Sequence, residues 1–222
     1  MPIIRYNTAN VVAAAIIAFE TNGSKIVKYN EINEDSSEIS VVSNKNLINQ
    51  HLTEPQFSNL VEQKLEFAKE MIDAISRRVT MNALVGESTN DFLKTVSDLL
   101  TRENIANTEF GISAWVPKLF NDMDNADNVR VTILSYCASS KFLGVDGKPI
   151  IVKFTPVIKR FLSQFGMWGY TGYDAEGNLI SFTNKKELSM SEITISGRVK
   201  KHTESKKYAN IPCTVLNYVK IV

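Results

Sequence analysis

The sequence predicts an α+β protein, helical in its N-terminal part and built from antiparallel strands in its C-terminal part. Three observations carry that expectation. Apolar residues recur at helical spacing before about residue 128 and alternate with a period of two after it. Charge divides near the same place: residues 1–140 carry 12 Lys and Arg against 18 Asp and Glu, whereas residues 141–222 carry 13 against 6. The formal net charge of +1 therefore conceals a net of −6 and a net of +7. Ten of the twenty aromatic residues also fall in the last 82 positions. The expected division is an acidic, mostly helical region over 1–128 and a basic β domain over 129–222.

Composition excludes several classes at once. With 222 residues, 44% hydrophobic and 22% charged, the chain can bury a core and is neither disordered nor fibrous. Two cysteines, Cys137 and Cys213, form no CxxC pair and point to buried thiols in a reducing cytoplasm. His51 and His202 stand far apart without an HExxH partner, so no zinc or di-iron site is expected and no cofactor is implied. The longest apolar run, Val11 to Phe19, is nine residues, well short of the ~20 needed to cross a bilayer. Only Arg5 precedes it and no small-x-small cleavage site follows, so a buried helix is predicted there rather than a leader or membrane anchor.

Asn7-Thr8 caps that first helix and Gly23 stops it. A longer helix is predicted from Thr53, taken as N-cap with Pro55 in the first turn. Its inward stripe runs from Phe57 through Leu60, Val61, Leu65, Ala68, Met71, Ile72 and Ile75 to Val79, and Gly86 closes it. Ser88, Thr89 or Asn90 caps a further helix with Phe92, Leu93, Val96, Leu99 and Leu100 inward. The acidic stretch Glu31 to Glu38 is expected to be a loop. Asn121 to Asp127 resembles a calcium loop in composition only, since Ala126 stands where that loop requires Gly; it is expected to be a linker. A strand is predicted at Val129–Tyr136.

Five more strands follow: 150–161, 167–173, 179–183, 192–201 and 211–221. The second and third are joined by the hairpin turn Asp174-Ala175-Glu176-Gly177-Asn178. This order matches the outline of an OB-like five-stranded antiparallel barrel, which binds oligonucleotides on strands 2 and 3 and through the 1–2 and 4–5 loops. The aromatic and basic residues concentrate at those places. The 1–2 connection holds Lys159, Arg160, Phe161 and Phe165; strand 2 holds Trp168, Tyr170 and Tyr173; strand 3 holds Phe182, followed by Lys185 and Lys186. The 4–5 loop holds Arg198, Lys200, Lys201, His202, Lys206, Lys207 and Tyr208. Cations track phosphates and flat side chains stack on unpaired bases, each stack being worth ~1–3 kcal/mol. Gly166 and Gly169 beside Trp168 would let a ligand approach the strand closely.

The runs Gly177–Thr183, Ile195–His202 and Thr214–Ile221, opened by Ser140–Lys148, resemble the C-terminal module of bacteriophage single-stranded-DNA-binding accessory proteins of replication or transcription. The resemblance covers residues 139–222 and departs from the family in lacking an acidic C-terminal tail. It implies a host-cytoplasmic protein that binds single-stranded DNA with little sequence preference. The helical part would then self-associate or dock a phage polymerase or another replication or transcription protein. No enzyme is expected: Gly144-x-x-Gly147-Lys148-Pro149 fails the P-loop pattern, and Gly166, Gly169 and Gly172 lie in a strand rather than before a helix. The alternative is a phage structural or protein-interaction module whose basic domain docks an acidic protein surface without binding nucleic acid.

Overall fold

The computed structural model describes residues 2–32, 39–84 and 90–222. Most of the acidic stretch expected to be a loop, and the predicted helix signals Gly86, Ser88 and Thr89, lie outside the described residues. The chain forms two compact units, 1–124 and 125–222.

The first unit is built around helix α1 (Thr8–Thr21), in which every residue from Val11 to Phe19 is buried. A helix apolar on all sides must sit at the centre of its unit, and its run of small residues, Ala13-Ala14-Ala15, lets neighbours approach closely. Asn7 caps it, its side chain accepting the Ala9 N–H at 3.0 Å, and Gly23 follows its end with φ +63°. Strand β1 (Arg5–Asn7) leads into it and pairs antiparallel with β4 (Asn104–Ala106). A second two-stranded pair joins β2 (Glu31–Ile32) and β3 (Ile39–Val41). Helices α2 (Asn44–Thr53), α3 (Ser58–Gln63), α4 (Leu65–Leu84), α5 (Asp91–Leu100) and α6 (Phe110–Ser113) complete the unit. Ile48, Met71, Ile75, Val96 and Phe110 are among the residues that close the core around α1. Asn90 is the cap of α5, accepting the Leu93 N–H at 2.9 Å.

Two helical expectations need correction. The single helix from Thr53 is three pieces. Thr53 ends α2, its hydroxyl donating to the Asn49 carbonyl at 2.8 Å, and Pro55 opens a 3-10 turn over 55–57. A proline nitrogen cannot continue the ladder of the preceding helix, and a further break at Lys64 separates α3 from α4. The linker at 121–127 and the strand at 129–136 are both parts of helix α7 (Val116–Tyr136). Lys118 and Asp122 form an i,i+4 ion pair at 2.7 Å on it. Its first half supplies Val116, Leu119, Phe120 and Met123 to the core of the first unit. Its second half supplies Ile133 and Leu134 to a cluster of the second unit. Burial at both ends outweighs the low helix propensity of its Asn- and Asp-rich middle and β-branched end.

The second unit carries β5 (Pro149–Leu162), β6 (Met167–Tyr173), β7 (Leu179–Asn184), β8 (Ile193–Ser205) and β9 (Ile211–Ile221). The order is β5-β6-β7-β9-β8, and β8 pairs back onto β5, so the ladder closes on itself. The expected OB-like antiparallel barrel is corrected in three respects. The sheet is mixed, because β7 and β9 run parallel. Lys159, Arg160 and Phe161 lie within β5, and β8 continues through the expected 4–5 loop as far as Ser205. The segment 129–136 adds a helix, not a strand.

One side of the sheet encloses Phe154, Tyr170, Ile180, Phe182, Ile195, Val199, Leu216 and Val219. Strict alternation along β9 would turn Leu216, Tyr218 and Lys220 to the same side. Instead Tyr218 takes φ +53° and an extra residue is absorbed, since Asn217 pairs with Arg198 but Lys220 pairs with Ser196. Val219 thereby turns inward, while Tyr218 and Lys220 face solvent. This is the action of a β-bulge. A second bulge, on β8, leaves Lys200 and Lys201 exposed side by side. The hairpin after β6 is held by Asp174, whose Oδ1 accepts the N–H groups of Glu176 at 3.0 Å and Asn178 at 2.8 Å. The segment 140–143 is stitched to the sheet: Ser140 Oγ donates to the Pro212 carbonyl and accepts from the Leu179 N–H, and the Leu143 N–H reaches Thr214 Oγ1.

Gly172 lies against the enclosed rings. A Cβ there would stand 2.1 Å from the Thr155 carbonyl oxygen and 2.9 Å from the Phe154 ring, whereas one on Gly111 would meet nothing within 4 Å. Gly172→Ala should cost about 3 kcal/mol through overpacking, and Gly111→Ala less than about 1 kcal/mol. Urea unfolding of both variants checks this, and equal midpoints would refute the packing described.

Cys137 and Cys213 are free and buried. Burial pushes the Cys137 thiol up to about 11, and the Cys213 thiol is also raised by burial. Because the folded chain favours the protonated thiols, stability is unaffected below the ordinary thiol range and falls as pH rises from about 9 towards 11. At pH 8 the native protein should react with Ellman's reagent far more slowly than the urea-unfolded chain, which releases two equivalents. Equal rates would show that the thiols are accessible.

Candidate binding surface of the C-terminal unit

The aromatic residues expected to stack on bases are largely structural. Trp168, Tyr170 and Gly172 alternate along β6 on the enclosed side of the sheet. Tyr170 is 2% exposed and Phe182 3%. The two rings stack at 5.2 Å, and Phe182 meets Phe154 edge-on at 5.0 Å. The Tyr170 hydroxyl accepts the Leu188 N–H at 2.6 Å, so even its polar tip is engaged. Trp168 is half-buried, packs on Phe161 at 5.1 Å and has the Lys159 ammonium 5.4 Å from its ring centre. Tyr208 is buried in a separate cluster with Ile133, Leu179 and Ile211. Tyr173 is half-buried beneath Tyr136 of α7, the rings 4.9 Å apart and nearly parallel. Gly166 serves a local turn, with φ +56° after the 3-10 segment 163–165, and a Cβ on Gly169 would make only ordinary contact with Leu162.

The cations are placed differently. Arg160, Lys185, Lys186, Arg198, Lys200, Lys201, Lys206 and Lys207 are exposed. Lys159 is bound to Glu187 at 2.7 Å, and the Lys207 ammonium lies 5.4 Å from the Tyr208 ring centre. His202 is a fastener: its Nε2 lies 3.0 Å from the Leu143 carbonyl oxygen, its Nδ1 3.4 Å from Asp146, and its ring stacks on Phe142. The expected phage single-stranded-DNA-binding identity, its sequence-tolerant DNA-binding function, and the DNA and polymerase partners are therefore corrected. A row of rings turned inside the sheet cannot receive bases, and the antiparallel barrel on which the resemblance was drawn is not the one formed.

The surface instead has a feature that the pattern of aromatic and basic residues does not reveal. The parallel strands β7 and β9 pair only from Leu179 with Cys213 to Phe182 with Leu216. Beyond that point they part, bridged once where Asn184 Nδ2 donates to the Val219 carbonyl at 3.2 Å. The parting opens a cleft of about 750 Å³. Met167, Leu188, Val219 and Ile221 give it an apolar lining, and Lys185, Lys186 and Lys220 stand around it. Asn217, whose Oδ1 is buried without a hydrogen-bond partner, also lines it. Of these residues only Lys185 and Lys186 were among the sequence candidates. The one sequence signal for the β9 side of the cleft is the three-residue spacing of Leu216 and Val219, which breaks the period of two at the bulge.

Among the described residues no helix is long and apolar enough to cross a membrane, and no three His, Cys, Asp or Glu side chains form a group that could hold a metal ion. No family model, curated protein or solved structure matches this chain.

Proposed function

We propose that the protein is a non-catalytic binding protein whose C-terminal unit captures an extended, acidic segment of a partner protein in the cleft between β7 and β9. The observation that carries this reading is the cleft itself: an apolar lining between two parted strands, with three lysines around it and no carboxylate among its lining residues. Apolar side chains of the segment would displace water from Met167, Leu188 and Val219, and flanking carboxylates would meet Lys185, Lys186 and Lys220. Strand backbone left unpaired where β7 and β9 part suits an extended guest, which recognises a sheet through main-chain hydrogen bonds. Charge of this kind chiefly accelerates and selects encounters, while the apolar contacts hold the complex.

In the C-terminal unit a binding role is favoured over catalysis by the use made of the reactive side chains. Both thiols are buried and raised above their ordinary range, and His202 is tied to Leu143 and Asp146. Two buried free thiols also suit a reducing, cytoplasmic setting.

Selection of a random heptapeptide display library against the full chain tests the proposal. Recovered sequences should combine Leu, Ile or Phe with at least two Asp or Glu. Their affinity should drop at least tenfold for Lys185→Glu/Lys186→Glu/Lys220→Glu, measured by fluorescence anisotropy in moderate salt. Selection of basic peptides, undiminished binding by the triple variant, or a clear preference for labelled oligo-dT over every acidic peptide would overturn it.

A further inference from the structure

The first unit contains a smaller pocket of opposite character, about 420 Å³, where α1, the end of α2, the 3-10 turn, α3 and the start of α4 meet. Its polar lining is rich in acceptors: Asn10, Thr53 and Ser58 contribute side-chain oxygens, and Glu54 and Glu62 contribute carboxylates. Thr53 and Ser58 spend their hydroxyl protons on the Asn49 and Pro55 carbonyls, which leaves oxygen lone pairs for a ligand. The end of α2 adds to this character. The Glu54 N–H bonds to the Gln50 carbonyl, but Pro55 has no N–H to give to the carbonyl of His51. A helix C-terminus carries partial negative charge and favours a cation.

His51 is the second, independent feature. It lines the same pocket, is 6% exposed, and its Nδ1 has no hydrogen-bond partner. The ring is held edge-on against Phe57 at 4.7 Å. Burial lowers its pKa against the opposing influence of Glu54, so the imidazole is predominantly neutral near pH 7 and one ring nitrogen keeps a lone pair. Leaving a buried polar atom unmatched is costly, and a donor from a ligand would match it. His51, Glu54 and Glu62 do not converge into a metal-holding group. The acceptors are spread around a space that also has apolar walls, Leu52, Val61 and Leu65.

We infer that this pocket binds a primary ammonium group carried on an aliphatic stem. The ammonium supplies three donors and a positive charge to the carboxylates, the helix end and the imidazole, while its methylenes lie along Leu52, Val61 and Leu65. The same chemistry is presented by a free aliphatic diamine and by a lysine side chain of another protein. The site lies in a different unit from the acidic-segment cleft, and its test does not depend on that proposal.

Nuclear magnetic resonance titration of the full chain with cadaverine and, separately, with Nα-acetyl-lysine methylamide tests it. Saturable shifts should be confined to Asn10 and residues 51–65, with a change at the His51 ring nitrogens. Stronger binding by cadaverine assigns the pocket to free diamines, and stronger binding by the lysine derivative assigns it to a partner's lysine; either supports the inference. Glu54→Gln/Glu62→Gln, which alters side chains at the pocket's edge without touching the core, should weaken binding at least tenfold. Absence of saturable shifts with both probes, equal binding of neutral n-pentanol, or unchanged affinity in the double variant would overturn it.

Discussion

Contact among the rings of Phe154, Tyr170 and Phe182 governs how the C-terminal unit is arranged. Phe182 touches both others at centroid separations near 5 Å, and rings in such offset and edge-on pairs add ~0.5–1.5 kcal/mol to what their buried area contributes. Enclosing them sets the demands on the surrounding backbone. Position 172 must lack a side chain, because Phe154 and the Thr155 carbonyl occupy the space. The segment after β7 must bring Leu188 over the rings, where its N–H meets the Tyr170 hydroxyl. That requirement draws residues 185–188 away from β9, and the cleft lies where the two strands part. The cleft is thus a consequence of how the core is closed.

The same constraint explains why nucleic-acid recognition is the wrong conclusion from the right residues. A period of two shows that Trp168 and Tyr170 share a face, but it does not say which face is enclosed. The answer lies across the ladder. Tyr170 is opposite Phe182 and Gly172 opposite Ile180, whereas Thr171 is opposite Ser181 and Gly169 opposite Thr183. An apolar row beside an apolar row forms a core, and the hydroxyl-bearing row faces outward. Reading β6 alone conceals this; pairing it with β7 through the Asp174–Asn178 turn reveals it.

Much of the fold is legible because strong local signals coincide. The Val11–Phe19 run, capped at Asn7, marks a central helix. Alternation bounded by Gly166 and Asp174 marks β6 at its observed ends, and Asn210 marks the start of β9. Helix α7 is hard to read, because its local signals, Pro117 in the first turn and the i,i+4 spacing of Lys118 and Asp122, are outweighed by the residues that follow. Asn121 to Asp127 has the composition of a loop, and Val129 to Leu134 has that of a strand. What makes the segment helical is burial at its two ends in clusters with residues distant in sequence, those of α1 in one and Ile211 in the other. The cleft is hidden for a related reason. Val219 is positioned by the left-handed backbone of Tyr218, and a bulge at a non-glycine residue has no dependable mark in composition.

The division of charge acquires a more specific meaning once the rings are assigned to the interior. Cations beside exposed aromatic faces would suit bases and phosphates together. Around the cleft the cations stand beside Met167, Leu188 and Val219 and one exposed ring, Tyr218, a lining that suits carboxylates and apolar side chains, and an extended peptide carries both within a few residues. In the acidic unit the complementary arrangement appears on a smaller scale: Glu54 and Glu62 beside Leu52, Val61 and Leu65 suit an ammonium on a methylene stem. Each pocket thus combines apolar lining with charged side chains of one sign, and the two differ in sign as the net charges of the two halves of the sequence do. Such pairing gives selectivity through mismatch, because a ligand of the wrong charge would bury its apolar part only by bringing like charges together.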